Sequence, residues 1–145
     1  MATVAEILRS KIGSEVYRVA PTDSVLHALR MMADKEVGAL MVLDGEKIAG
    51  IFTERDYARK VALEGRSSGD TPVSEIMTRA VRFVHPEQTT EECMALMTEH
   101  RLRHLPVVDG ERLVGLVSIG DLVKQVISQQ QFVIAQMEQY ITGGW

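Results

Sequence analysis

Cysteine is nearly missing from this chain: Cys93 is the only one among 145 residues. No disulfide can form within the chain, which fits a reducing compartment. An excess of positive charge is missing as well, since 16 Lys and Arg stand against 20 Asp and Glu, for a net charge of −4. Nothing here asks for nucleic acid or an anionic membrane. No run approaches the roughly 20 apolar residues of a membrane span, and the opening Met1-Ala2-Thr3-Val4-Ala5-Glu6 has neither the cationic start nor the apolar stretch of a leader. The expectation is a cytoplasmic protein. The sequence also lacks Gly-x-Gly-x-x-Gly and a P-loop, and His27, His85, His100 and His104 do not fall at metal-ligand spacings with Cys93. No base, nucleophile and metal set is arranged for catalysis, so an enzyme is not expected and no metal is assigned.

What is present is a repeat. Leu40-Met41-Val42-Leu43-Asp44-Gly45-Glu46-Lys47-Ile48-Ala49-Gly50-Ile51-Phe52-Thr53-Glu54-Arg55-Asp56 returns as Leu105-Pro106-Val107-Val108-Asp109-Gly110-Glu111-Arg112-Leu113-Val114-Gly115-Leu116-Val117-Ser118-Ile119-Gly120-Asp121. Gly45 and Gly110, Gly50 and Gly115, Asp56 and Asp121 are all 65 positions apart. An ungapped recurrence of this length means one structural unit made twice. A weaker echo, Val4-Ala5-Glu6-Ile7-Leu8 against Val73-Ser74-Glu75-Ile76-Met77, precedes each copy. The first copy carries the longer loop after it, Arg9 to Glu15 against Thr78-Arg79-Ala80.

Each copy opens on a short β-like run closed by proline, Val16 to Pro21 and Val81 to Pro86. A helix follows, with Val25, Leu29 and Met32 at helical spacing in one copy and Thr90, Met94 and Met97 in the other. Asp23 or Ser24 can cap the first, and Thr89 with Glu92 has the spacing of a capping box in the second. Two β runs joined across Asp-Gly then predict a hairpin, and its second strand runs into a helix near Thr53 and near Ser118. Each copy therefore reads β-α-β-β-α, an α/β (α+β) fold. Gly65 to Pro72 has linker composition. The organisation is residues 1–70, residues 71–128 and a helical extension over 129–145, where Val133, Ile134, Met137 and Ile141 continue an apolar stripe. A helix that long outreaches so small a domain, and part of the stripe needs cover from another chain.

Thr53-x-x-Asp56 and Ser118-x-x-Asp121 stand where a strand turns into a helix. A hydroxyl at the N-cap with a carboxylate three residues on is by itself a cap that satisfies orphan amides. The same carboxylate can accept both hydroxyls of a ribose while the helix start attracts phosphate. Arg55 beside Asp56 offers a planar fork of donors, or else is a solvated charge; the second copy has Gly120 there, with Arg79, Arg101, Arg103 and His104 as its cations. Cys93 and the eight methionines read as core packing.

Across nearly its whole length, from about Val4 to Val126, the chain resembles a tandem pair of cystathionine β-synthase (CBS) domains, the Bateman module. Gly50 to Asp56, Gly115 to Asp121 and Arg103 to Asp109 carry the likeness. Thr53 to Tyr57, Gly65 to Ser68 and the Gln-rich C-terminal helix are similar to small stand-alone CBS pairs of bacteria and plant organelles. The resemblance implies pseudo-twofold symmetry, repeats packed through their sheets, a cleft on either side and a disc-shaped homodimer. It implies an adenosine-containing ligand such as AMP, ADP, ATP, NAD or S-adenosylmethionine, with no catalytic cofactor. Thr53, Asp56, Ser118 and Asp121 would hold ribose, and Arg55, Arg79, Arg101, Arg103 and His104 phosphate. Adenine would lie against Ile12, Gly13, Tyr17, Gly38, Ala39, Leu40 and Met41 in one cleft and Thr78, Ala80, Val81, His104, Leu105 and Pro106 in the other. The expected function is a sensor that signals to a partner protein through a ligand-dependent conformational change. The alternatives are a structural interaction module whose aspartates are only caps, and, from the organelle resemblance, a regulator of a thioredoxin-type partner.

Overall fold

A computed structural model describes residues 2–11 and 16–142. In chain order its helices and strands are α1 (Val4–Ser10), β1 (Arg18–Val19), α2 (Val25–Lys35), β2 (Ala39–Asp44), β3 (Lys47–Thr53), α3 (Glu54–Tyr57), α4 (Thr90–His100), β4 (His104–Asp109), β5 (Arg112–Ser118) and α5 (Ile119–Thr142). A π-helical turn, Ala58–Ala62, continues α3, and a 3-10 turn covers Val73–Glu75. The architecture is mixed α/β, with a three-stranded sheet in the order β1-β2-β3 and a two-stranded sheet of β4 and β5.

Ser24 caps α2 by accepting from the His27 amide at 3.1 Å, while Asp23 takes the Ala20 amide in the turn before it. Thr89 caps α4 in the same way through the Glu92 amide. Both helices end on a residue in the left-handed region, Glu36 and Arg101, with φ near 56° and 55°. The next amides, of Val37 and Leu102, return to the carbonyls of Met32 and Met97. These paired closures show that the repeat extends to backbone conformation. Gly45 and Gly110 take φ of 64° and 67° at the hairpin turns, where a side chain would be strained.

The opening strands differ from expectation. β1 is two residues long and pairs with β2 in parallel, Arg18 to Met41 and Val19 to Val42. In the second copy only a single bridge, Val84 to Val107, remains. Two prolines explain this. The Val84 amide donates to the Pro106 carbonyl and the Val108 amide to the Val84 carbonyl. The next rung on either side would need an N–H from Pro106 or from Pro86, and proline has none. Met41, at the place of Pro106, makes that rung in the first copy by donating to the Tyr17 carbonyl at 3.2 Å.

The chain packs as two compact units. One comprises 1–14, 83–109 and 115–145, the other 15–82 and 110–114. In the second, Val25, Ala28 and Met32 of α2 pack with Leu40, Val42 and Phe52 of the sheet, and with Val61, Val73, Ile76 and Met77. In the first, Val4 and Ile7 of α1 join Val84, Cys93, Met97, Leu105, Val107, Val117 and Leu122. The two echoed leading segments have thus changed places relative to the sequence halves 1–70 and 71–128. The repeated glycine explains where each one lands. A Cβ on Gly50 would lie 2.6 Å from the Thr78 carbonyl oxygen, and one on Gly115 would lie 2.7 Å from the Leu8 side chain. At Gly50 only glycine lets the backbone approach so closely, whereas at Gly115 the neighbour is the movable end of a side chain.

The final helix runs for 24 residues, about 36 Å at 1.5 Å per residue. It passes without a break through 128 and 129, and Ile127, Val133, Ile134, Met137 and Ile141 along it are each about half exposed or more. Among the described residues no helix is long and apolar enough to cross a membrane.

Candidate functional site

The two Thr/Ser-x-x-Asp motifs lie at matching strand-to-helix junctions, β3 into α3 and β5 into α5. Each junction is pinned by one backbone bond, from the Glu54 amide to the Gly38 carbonyl at 3.1 Å and from the Ile119 amide to the Arg103 carbonyl at 2.9 Å. The helix start is thereby tied to the beginning of the neighbouring strand.

At the first junction Thr53 and Asp56 form a capping box. The Thr53 hydroxyl accepts from the Asp56 amide at 3.2 Å, and Asp56 Oδ2 accepts from the Thr53 amide at 3.0 Å and hydroxyl at 3.1 Å. Asp56 is only 6% exposed, so its charge requires a partner. Lys60 supplies it from the π-helical turn, with Nζ 3.0 Å from Oδ1. The same Nζ donates to the Ile76 carbonyl at 3.1 Å, and the Thr78 hydroxyl donates to Oδ1 at 3.0 Å.

The second junction repeats the frame with different partners. Ser118 Oγ accepts from the Asp121 amide at 3.2 Å, and Asp121 Oδ2 accepts from the Ser118 amide at 2.8 Å. Its cation is Lys11, whose Nζ lies 3.0 Å from Oδ2 and donates to the Leu116 carbonyl at 2.9 Å. Burial pushes the Asp121 carboxyl up, but the Ser118 amide and the Lys11 ammonium outweigh it and hold the group below its ordinary value. His104, partly buried at the start of β4, feels the same cluster. Its pKa is lowered by burial first and then by Lys11, with Asp121 opposing and Arg103 adding to the depression.

Thr53, Asp56 and Thr78 therefore meet in one unit, and Ser118, Asp121, His104 and Arg103 in the other. Thr78, grouped by sequence with His104, lies instead on Asp56. Ala39 pairs with Thr53 in the ladder, and Leu40 and Met41 follow it, buried, in β2. Tyr17 stands partly buried with Lys35 Nζ 5.4 Å from its ring centre. Leu105 and Pro106 are buried in β4; Ala80 is exposed and Val81 half-buried. Arg79 donates to the Ser74 carbonyl, Arg101 closes α4, and Arg55 is exposed on α3. Ile12 and Gly13 lie outside the described residues. Sequence reasoning missed Lys11 and Lys60. Lys60 stands four residues after Asp56, a spacing that signals a helical ion pair. Lys11 had no such signal, because 110 positions separate it from Asp121. Among the described residues no cluster of three or more His, Cys, Asp or Glu could hold a metal ion.

Comparison with known proteins gives a consistent result. The family described as CBS domain matches residues 4–63 and 73–128. The mitochondrial CBS domain-containing protein CBSX3 of Arabidopsis thaliana is 38% identical over 152 aligned positions, covering 99% of this chain and 73% of that protein. A solved protein with CBS domains from Burkholderia ambifaria MC40-6 is 61% identical at a TM-score of 0.86, covering 89% of this chain and 96% of the other. The CBS domain pair of protein MJ0100, solved in complex with 5′-methylthioadenosine and S-adenosyl-L-methionine, is 25% identical at a TM-score of 0.77, covering 88% and 98%.

Proposed function

The chain belongs to the CBS domain family, carrying the domain twice, and from that premise we propose that it is a non-catalytic sensor of an adenosine-containing ligand. The observation that carries this reading is the doubled junction, in which a carboxylate is fixed by a Thr or Ser cap and set against a lysine. A carboxylate so oriented suits a ribose diol, which supplies two donors in a fixed geometry. Cations beside it, Lys11 and Arg103 at one junction and Lys60 and Arg55 at the other, suit an anionic group on the 5′ side, with His104, its pKa lowered by burial, as an uncharged donor. The adenosine ligands of the MJ0100 pair support the same class. The strand residues Tyr17, Gly38 to Met41, Leu105 and Pro106, with Thr78, Ala80 and Val81, are the candidates for the adenine, and Arg79 and Arg101 are further phosphate candidates.

Output passes to a protein partner by a change in conformation, which a ligand biases only through its different affinity for two states. The exposed apolar face of α5 supports a homodimer as the signalling form, and the cytoplasm is the compartment we assign to it. The test is thermal unfolding with AMP, ATP, NAD and S-adenosylmethionine on wild type, Asp56→Ala and Asp121→Ala. A ligand at about a hundred times its Kd adds roughly 2.7 kcal/mol, and the sensor reading expects such a shift to be lost or reduced in an aspartate variant. The competing reading, in which both aspartates only cap helices, rests on the complete capping box at Asp56. It expects no shift with any of the four.

A further inference from the structure

The two carboxylates differ in what they have left to offer. A carboxylate has about four lone-pair sites. At Asp56 four donors already fill them: the Thr53 amide and hydroxyl on Oδ2, and the Thr78 hydroxyl and Lys60 ammonium on Oδ1, all between 3.0 and 3.1 Å. At Asp121 both contacts from the Ser118 amide and Lys11 fall on Oδ2. Oδ1 accepts no hydrogen bond among the described residues. The second carboxylate is also the more open, its side chain 16% exposed against 7% for Asp56.

Resting on the sensor reading, we propose that the two sites are unequal by construction: Asp121 takes the ligand's ribose hydroxyls first, and Asp56 is held closed by Thr78 and Lys60. Among the described residues no donor would have to leave Asp121 Oδ1 for a ribose hydroxyl to bond there. At Asp56 each ribose hydroxyl must evict a bond to a nearly buried charge, and such bonds are the expensive ones to break. Thr78 is the decisive residue of the pair. It is fixed by a two-way backbone bridge to Ile51, whose amide donates to the Thr78 carbonyl at 3.0 Å and whose carbonyl accepts from the Thr78 amide at 2.9 Å. The hydroxyl therefore cannot leave Asp56 by a backbone shift without breaking that bridge, whereas Lys60 is a flexible side chain and 45% exposed. The second junction has Lys11 but no counterpart of the Thr78 hydroxyl among its described contacts.

Calorimetric titration of the full chain with AMP, ATP, NAD and S-adenosylmethionine in turn tests this. The expected result for a binding ligand is one tight equivalent per chain, abolished in a folded Asp121→Asn variant and weakened for the 2′-deoxy form of the same nucleotide. Thr78→Ala is expected to create or tighten a second equivalent by about tenfold, the value of one hydrogen bond to a charged group. It keeps the test decisive if Asp121→Asn does not fold. A tight equivalent that survives Asp121→Asn, or a second step indifferent to Thr78→Ala, overturns the ranking while leaving the sensor reading intact. Absence of binding for all four ligands overturns both.

Discussion

Gly50 and Gly115 occupy the same place in the two copies, yet what presses on them differs. The atom facing Gly50 is a backbone oxygen at 2.6 Å, held in a bridge, whereas Gly115 faces the methyl groups of Leu8, which can rotate. Gly50→Ala should therefore cost more, about 1–3 kcal/mol, the range for forcing extra atoms into a packed site. Gly115→Ala should cost clearly less. Parallel urea melts compare the two, and equal losses would refute the account. A second expectation concerns His104. Its folded pKa lies below the ordinary 6.5, so the unfolded chain takes up this proton first and stability falls as pH drops below that value. Asp121, held below 3.8, keeps its contribution at neutral pH and loses it only in stronger acid. Melting temperature between about pH 7.5 and 5.5 should accordingly fall more steeply for wild type than for His104→Gln. Matching slopes would sink it. Cys93, fully buried, has its thiol raised to about 11 by burial and then by Glu92, so it carries packing and no thiolate chemistry.

The hairpins, helix caps and helix starts were legible because their signals are local. Asp44-Gly45, Ser24, Thr89 and the two Thr/Ser-x-x-Asp motifs each meet their partners within about four residues. The opening strand of the second copy was not read correctly, although Pro86 and Pro106 were both in view. Their effect depends on which residues stand opposite, and that register is a tertiary fact. Pro106→Met, which copies Met41, should return an N–H aimed at the Arg82 carbonyl. Hydrogen exchange should then find a protected amide at 106. A rapidly exchanging amide there would show that more than the missing donor limits the strand. The site was half legible for the same reason. Capping residues declare themselves by spacing, whereas Thr78 on Asp56 and Lys11 on Asp121 arise from the leading segments having changed places. Sequence reading kept each segment with its own copy, so Thr78 was grouped with His104 in the second cleft and Lys11 was passed over.

Between Gln125 and Thr142 the last helix carries one charged residue, Glu138, while exposing Ile127, Val133, Ile134, Met137 and Ile141. A helix with such a face gains its stability from packing rather than propensity. Glu138 is the one charge that self-association along this stretch would have to accommodate. Ile134→Asp should convert the proposed dimer to monomers in sedimentation at micromolar concentration, and an unchanged mass would exclude α5 as the contact.

The exchanged leading segments also bear on how the protein is made. Val4 and Ile7 have their packing partners between Val84 and Leu122, so during synthesis α1 has nowhere to dock until those later residues have followed. The first copy in turn waits for Val73 to Thr78 before Gly50 is covered and Asp56 receives the Thr78 hydrogen bond. The half around Gly50 can close once Thr78 has been made, whereas the half around Gly115 stays open until Leu122 has followed. A stop codon before Val84 would leave Val4 and Ile7 without these partners, which makes such truncated products natural targets for proteolysis.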